Sequence, residues 1–254
     1  MPRHKKVLIT GVTGLIGGIV LNDLKDEYEI TGLARRPMEG IKHFRGSIDN
    51  LEEILPAFEG QDAVIHLAAD VSDLAPWGSI LPNNFVGTYN VYEASRICGV
   101  KRIIFASSNH AAGMFERDHP YHHIVAGEYE KVDVAAIPKI THREIRPDGY
   151  YGISKAYGEA MGRYYSEEYG ISVICLRIGS VNDINSPTEC IRYFSTWLSH
   201  RDQAQLVRKS LEAPDSVTFD IFYGVSNNKW RFWDLDHPRE IIGFEPEDDA
   251  EEHR

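Results

Sequence analysis

Val7-Leu8-Ile9-Thr10-Gly11-Val12-Thr13-Gly14-Leu15-Ile16-Gly17 decides how this chain is read. Three apolar residues between Lys6 and Thr10 make a short buried strand. Glycines follow at once, and the apolar-periodic stretch 15–24 makes a helix. Glycine at 11, 14 and 17 lets the backbone turn sharply, approach a pyrophosphate and pack the helix on the sheet. The free N–H groups at the helix start, around Leu15, Ile16 and Gly17, then face the phosphate charge. A glycine triplet alone is a weak signal. A strand before it and a helix after it supply the context that a dinucleotide site requires.

Outward from this loop the same rhythm repeats. Strands are expected at 29–34, 63–69, 102–107, 173–177 and 218–223, and helices at 50–58, 84–98, 151–169 and 201–212. Strands alternating with helices predict an α/β fold: a Rossmann-type doubly wound parallel sheet with a small C-terminal substrate-binding subdomain. The division expected is a dinucleotide-binding domain over 1–180 and a small substrate-binding region over 181–254. Residues 111–149 break the rhythm. They hold four of the eleven histidines, and a connection this long is functional or disordered. The acidic stretch 245–252 reads as a solvated end.

Composition narrows the function. A chain of 254 residues builds a core without disulfide or metal staples. The net charge of −11 argues against a nucleic-acid partner. No apolar run approaches the ~20 residues that span a bilayer, and residues 1–11 lack a signal-peptide core. Cys98, Cys175 and Cys190 are odd in number and widely spaced, which fits a reducing compartment, and the expected location is the cytoplasm.

Cofactor type is read at the end of the second strand. An acid there would bond the adenosine ribose and favour NAD, whereas arginine accommodates a 2′-phosphate. This chain has Ala34-Arg35-Arg36-Pro37, so NADP is expected over NAD. Further on, Tyr151 is the one tyrosine of thirteen with a lysine, Lys155, four positions later. That spacing puts both on one helix face. An ammonium beside a phenol is expected to lower the phenol pKa and make Tyr151 a usable general base. Ser107 and Ser108 end the strand before it, and a serine there can hold the substrate oxygen.

These residues resemble the extended or atypical short-chain dehydrogenase/reductases, the group containing NAD-dependent epimerases and dehydratases. The resemblance is carried by the glycine loop, His66-Leu67-Ala68-Ala69, Asn84-Phe85-Val86-Gly87-Thr88-Tyr89-Asn90 and Tyr151/Lys155. Within that group, Ser107-Ser108-Asn109-His110, Arg146 to Tyr151, Arg177-Ile178-Gly179-Ser180, Ser195 to Ser199 and Tyr223 to Asn227 look like uronate dehydrogenases. A close relative with these motifs is the NAD-dependent glucose-6-phosphate dehydrogenase of haloarchaea. The resemblance implies oxidation of a hexuronate at the anomeric carbon to an aldarolactone. Alternatives are a glucose-6-phosphate 1-dehydrogenase and a nucleotide-sugar epimerase. It implies Tyr151 as base, Lys155 as its partner and a ribose ligand, and Ser108 on the C1 hydroxyl. Leu67, Ala68, Ala69 and Asn84 would join the cofactor site. Ser72, Asn109, His110 and Ser180 would line the sugar, with Arg192 on its anion. It also implies a homo-oligomer. The chain departs from the uronate pattern in carrying Arg35 where an acid is expected, and in the 43 positions that separate Ser108 from Tyr151.

Other residues read blandly. His119, His122, His123 and His142 have no helical i,i+4 pair or cysteine partner, so no metal is expected. His66 reads as a packed residue. Trp197, Trp230 and Trp233 read as core or pocket wall.

Overall fold

Successive residues of a strand face opposite sides of a sheet, and a strand covered on both sides is apolar throughout. The computed structural model, which describes residues 6–72 and 74–254, shows this arrangement. Strands β1 (Lys6–Thr10), β2 (Glu29–Ala34), β3 (Lys42–Arg45), β4 (Ala63–His66), β5 (Arg102–Ser108), β6 (Ser172–Ile178) and β7 (Phe219–Gly224) form one sheet in the order β3-β2-β1-β4-β5-β6-β7. Every pairing is parallel, with Val7 opposite both Ile30 and Ala63, and Arg102 opposite Ser172.

The helices are α1 (Leu15–Leu24), α2 (Leu51–Phe58), α3 (Trp77–Ile80), α4 (Gly87–Ile97), α5 (Tyr121–Ala126), α6 (Tyr150–Tyr169), α7 (Tyr193–Thr196), α8 (His200–Leu211) and α9 (Asp236–Ile242). Val7, Ile9 and Ile104 pack under α1 and α8, while Leu8, Val64 and Ile103 pack under α2, α4 and α6. Local chemistry sets the ends. Asn50 caps α2 by accepting from the Glu53 N–H, Ser199 caps α8 by accepting from the Asp202 N–H, and Gly170 stops α6 in the left-handed region. The buried Arg102 donates to the carbonyls of Leu211 and Ala213, satisfying the end of α8. Strand order reverses between β1 and β4, so a crevice opens at their carboxyl ends.

Helix α6 is fixed against the sheet. A Cβ at Gly152 would collide with the His110 carbonyl, and one at Gly158 would enter the Phe105 ring. One turn below Lys155, Glu159 makes a fully buried bidentate pair with Arg177 of β6, with both contacts at 2.8 Å, and accepts from Ser107 Oγ at 2.6 Å. These contacts set the height of α6 beside the end of β5.

Four expectations are corrected. Strand β3 is absent from the expected set, because Lys-His-Phe-Arg on a sheet edge has no apolar alternation. The helix expected over 84–98 begins at Trp77 and passes through a π-helical turn, Leu81–Val86, around Pro82. Residues 111–149 are a chain of short helical turns, with Ile124 and Ile140 in the core. The acidic stretch is packed in part: Pro246 and Ala250 are buried, Asp248 accepts from Ser199 and Arg201, and the Glu247 N–H bonds Asp202, while Glu245, Glu247 and Glu252 stay exposed. Residues 181–254 divide between the sheet layers (α8, β7 and α9) and the wall of the crevice. Trp197, Trp230 and Trp233 are core residues.

Candidate active site

The crevice is a cleft of about 970 Å³. Gly11, Gly14, Leu15, Ile16, Gly17, Arg35, Arg36, Leu67, Ala68 and Ala69 line one end. Ser108, Asn109, His110, Tyr151, Lys155, Ser180 and Arg192 line the other. The structure therefore brings together most of the residues singled out from sequence.

The first end fits a dinucleotide. Gly11 turns at φ 73°, and a Cβ on it would come within 2.8 Å of the Ala68 nitrogen. Gly14 begins α1 with no side-chain cap and no acid in the first turn, which leaves N–H groups and the positive helix end for an anion. The Arg36 guanidinium is tied over the loop by a 2.8 Å bond to the Thr13 carbonyl. Below the loop, His66 is buried and shares its Nδ1 with Thr10 Oγ1 at 2.8 Å. Burial, helped by the Lys155 charge, pushes its pKa down to about 3, so it is neutral packing.

Asn84 lies outside the cleft lining. It is buried, and its amide exchanges bonds with the Asp70 backbone (2.7 and 2.9 Å) and Ser154 Oγ (3.1 Å). It pins the loop after β4 to α6. Ser72 is also outside the lining. It is exposed, and its N–H is turned back onto Asp70 Oδ1.

At the middle of the cleft Ser108 and Tyr151 both line the wall, and the Lys155 Nζ lies 5.3 Å from the Tyr151 ring centre. Nζ also donates to the Ala106 carbonyl at 2.7 Å. Lys155 therefore does not lower the Tyr151 pKa as expected. Burial pushes the phenol up to about 12, the Ser108 hydroxyl opposes this, and Asp148 and Asp70 add to it. Burial also pushes Lys155 down to about 8, partly offset by Glu159.

Beyond Tyr151 the groups are polar. Asn109 Nδ2 is a buried donor with no partner among the described residues. Ser180 Oγ bonds Thr196 Oγ1 at 2.8 Å. His110 Nδ1 bonds Asp148 Oδ2 at 2.7 Å. Arg192 donates from Nε and Nη2 to the two oxygens of Glu116, both at 2.6 Å, and from Nη1 to Ser180 Oγ at 3.3 Å. Burial works against the Arg192 charge, but the Glu116 bonds and field outweigh it and raise its pKa. Sequence reasoning missed Glu116 and Asp148. Glu116 lies 76 positions from Arg192, in a segment with no periodic signal.

Two histidine groups set aside in the sequence do come together. His119, His122 and His123 form one, and His142, Asp220 and His237 the other. His123 is bonded to Glu128 at 2.6 Å and His237 to Asp220 at 2.7 Å.

Residues 7–182 match the model of the NAD dependent epimerase/dehydratase family. The chain is similar to the NAD-dependent glucose-6-phosphate dehydrogenase of Haloferax volcanii, at 35% identity over 97% of this chain and 94% of that protein. It is similar to the L-arabinose 1-dehydrogenase (NAD(P)(+)) of the same organism, at 34% identity over 96% and 97%. The crystal structure of a uronate dehydrogenase mutant from Agrobacterium tumefaciens complexed with NAD superimposes with a TM-score of 0.80, at 29% identity over 98% of this chain and 87% of that one. Among the described residues no helix is long and apolar enough to cross a membrane. The seven-stranded sheet, the glycine loop and these likenesses place the chain in the NAD dependent epimerase/dehydratase family, grouped with its sugar dehydrogenases.

Proposed function

We propose that this enzyme oxidises the anomeric carbon of a free sugar with a nicotinamide coenzyme, using Tyr151 as general base. The observation that carries this reading is that Ser108, Tyr151 and Lys155 line the same cleft as the glycine loop, with the Lys155 Nζ 5.3 Å from the Tyr151 ring centre. Ser108 polarises the C1 hydroxyl. The Tyr151 oxygen takes its proton while the C1 hydride leaves, and C1 of the cyclic sugar becomes a lactone carbonyl. Lys155, held against the same ring and bonded to the Ala106 carbonyl, would take the coenzyme ribose. NAD(P)+ supplies the hydride acceptor when bound. The glycine loop and the start of α1 hold its pyrophosphate, and Leu67, Ala68 and Ala69 back it. Asn109, His110 and Ser180 take sugar hydroxyls.

NADP is the preferred coenzyme in this reading, because Arg35 and Arg36 line the cleft at the end of β2, where no acid stands. The relatives named above act on a sugar phosphate, a pentose and a uronate; the resemblance assigns Arg192 to a hexuronate carboxylate, and its bidentate pair with Glu116 counts against that assignment. Exposed Tyr89, Ile97, Ile153 and Tyr164 on α4 and α6 support pairing of two copies, which light scattering would test. Free thiols at all three cysteines support a reducing, cytoplasmic location.

The test is a panel of galacturonate, glucuronate, galactose, L-arabinose, glucose and glucose 6-phosphate, each with NAD+ and NADP+. The expected result is one reduced coenzyme per lactone formed, with a rate that climbs as pH rises from 6 to 9, because the small phenolate fraction of Tyr151 grows with pH below its raised pKa. No reduced coenzyme with any sugar, or an epimerised product with no net reduction, overturns the reading.

A further inference from the structure

We propose that Glu116 and Asp148 neutralise the sugar end of the cleft, so that its substrate is a neutral aldose and not a hexuronate or a sugar phosphate. This rests on reading the cleft as a sugar 1-dehydrogenase site. A guanidinium matches a carboxylate best along an edge that presents two parallel donors, and its side edge, Nε with Nη2, is one of two such edges. In Arg192 that edge, Nε and Nη2, is already filled by Glu116 at 2.6 Å on both oxygens. Nη1 alone is directed at a cleft-lining group, the Ser180 hydroxyl. The other basic group at this end, His110, holds Asp148 at 2.7 Å.

No other cation among the described lining residues serves the sugar. Arg35 and Arg36 stand at the coenzyme end, and Lys155 is bonded to the Ala106 carbonyl against Tyr151. A substrate carboxylate or phosphate would therefore lie beside a cancelled charge and close to two carboxylates. Like charges a few Å apart inside a protein disfavour binding by about tenfold or more. A hydroxyl meets none of this. It can accept from Arg192 Nη1 and from the unpartnered Asn109 amide, and can exchange a bond with Ser180. Both carboxylates belong to the long connection between β5 and α6. Glu116 sits on a short 3-10 turn, Gly113–Arg117, and Asp148 lies just ahead of Tyr150. The connection thus supplies the counter-charges of the sugar site.

The test uses D-galactose and D-galacturonate, which differ only at C6, with L-arabinose as a second neutral sugar. Binding is measured by calorimetry with the reduced coenzyme present, and kcat/KM with the oxidised one. The wild type is expected to favour the neutral sugars about tenfold or more. Glu116→Gln, which keeps the side-chain shape, and Glu116→Ala are expected to shift the galacturonate-to-galactose ratio upward by about tenfold or more. The double variant Glu116→Gln/Arg192→Met should lose that gain, because no charge is left to release. A wild type that favours galacturonate, a ratio unmoved in both Glu116 variants, or no binding of either neutral sugar overturns the proposal. If both Glu116 variants fail to fold, the wild-type ratio decides it. Discriminating binding without coenzyme reduction would overturn the dehydrogenase reading and leave the charge assignment standing.

Discussion

At the coenzyme end of the cleft, Arg35 and Arg36 are exposed and α1 starts without an acid, whereas at the sugar end Arg192 and His110 each hold a carboxylate of the chain itself. Both ends contain basic side chains, so a count of arginines does not distinguish them. The partners do. Cations facing solvent near open N–H groups present positive potential to a polyanion. Basic side chains bonded to carboxylates present directed donors with little net positive charge. Between the two ends, Ser108, Tyr151 and Lys155 are held by α6, which is fixed by Gly152, Gly158 and the Glu159–Arg177 pair.

The sharpest separation of the two ends should come from Tyr151→Phe. Coenzyme titration by fluorescence should be unchanged, while kcat falls by roughly 10²–10⁴-fold, the usual worth of general-base catalysis. A variant keeping more than about a tenth of wild-type kcat would remove Tyr151 as the base.

Stability should then tell the arginines apart. Arg192→Ala strands a carboxylate whose side chain is 13% exposed, and should cost about 3–5 kcal/mol in urea unfolding, recovered in part by adding Glu116→Gln. Arg35→Ala should stay within about 0.5 kcal/mol of wild type, as surface changes do. Equal losses would erase the contrast.

Coenzyme choice is a smaller effect in free energy. NADP should show the higher kcat/KM, and Arg35→Asp should reverse or erase the preference, a change of about tenfold or more. Wild-type kcat/KM higher with NAD would make the two arginines surface charge only.

A pH dependence is expected beneath the coenzyme end. His66 is held neutral when folded, with a pKa of about 3, below its ordinary 6.5. Between these values the unfolded chain binds a proton that the folded chain does not. Stability therefore falls as pH drops below 6.5, by up to about 3 kcal/mol at pH 4.5. Urea melts of wild type and His66→Gln at pH 7 and 4.5 should show a smaller loss in the variant.

Much of the coenzyme end was legible because its chemistry is local. Gly11, Gly14 and Gly17 act within one turn, and β1 reads as a buried strand from Val7-Leu8-Ile9 alone. Tyr151 and Lys155 were legible for the same reason, since helix spacing fixes their geometry. The Tyr151 titration was not, because burial and the 2.7 Å bond of Lys155 to Ala106 depend on how α6 seats on β5. Asn84 belongs to a recognisable motif but works as a pin between the loop after β4 and α6, a distinction that spacing does not encode. At the sugar end, Arg192 was found as a single residue while its meaning lay in Glu116, which arrives from a segment of short turns without periodicity.

The rigid seat of α6 has a consequence for how such an enzyme can diversify. Glycine against a backbone carbonyl and a sealed ion pair leave the reaction centre little room to change. Glu116 and Asp148, in contrast, sit on a connection whose 3-10 turns share no strand with the sheet. Substitutions at Glu116 can alter which sugars are accepted without touching Asp148, the member of the pair that acts on Tyr151. New specificities can then be sampled one residue at a time while the chemistry is inherited intact.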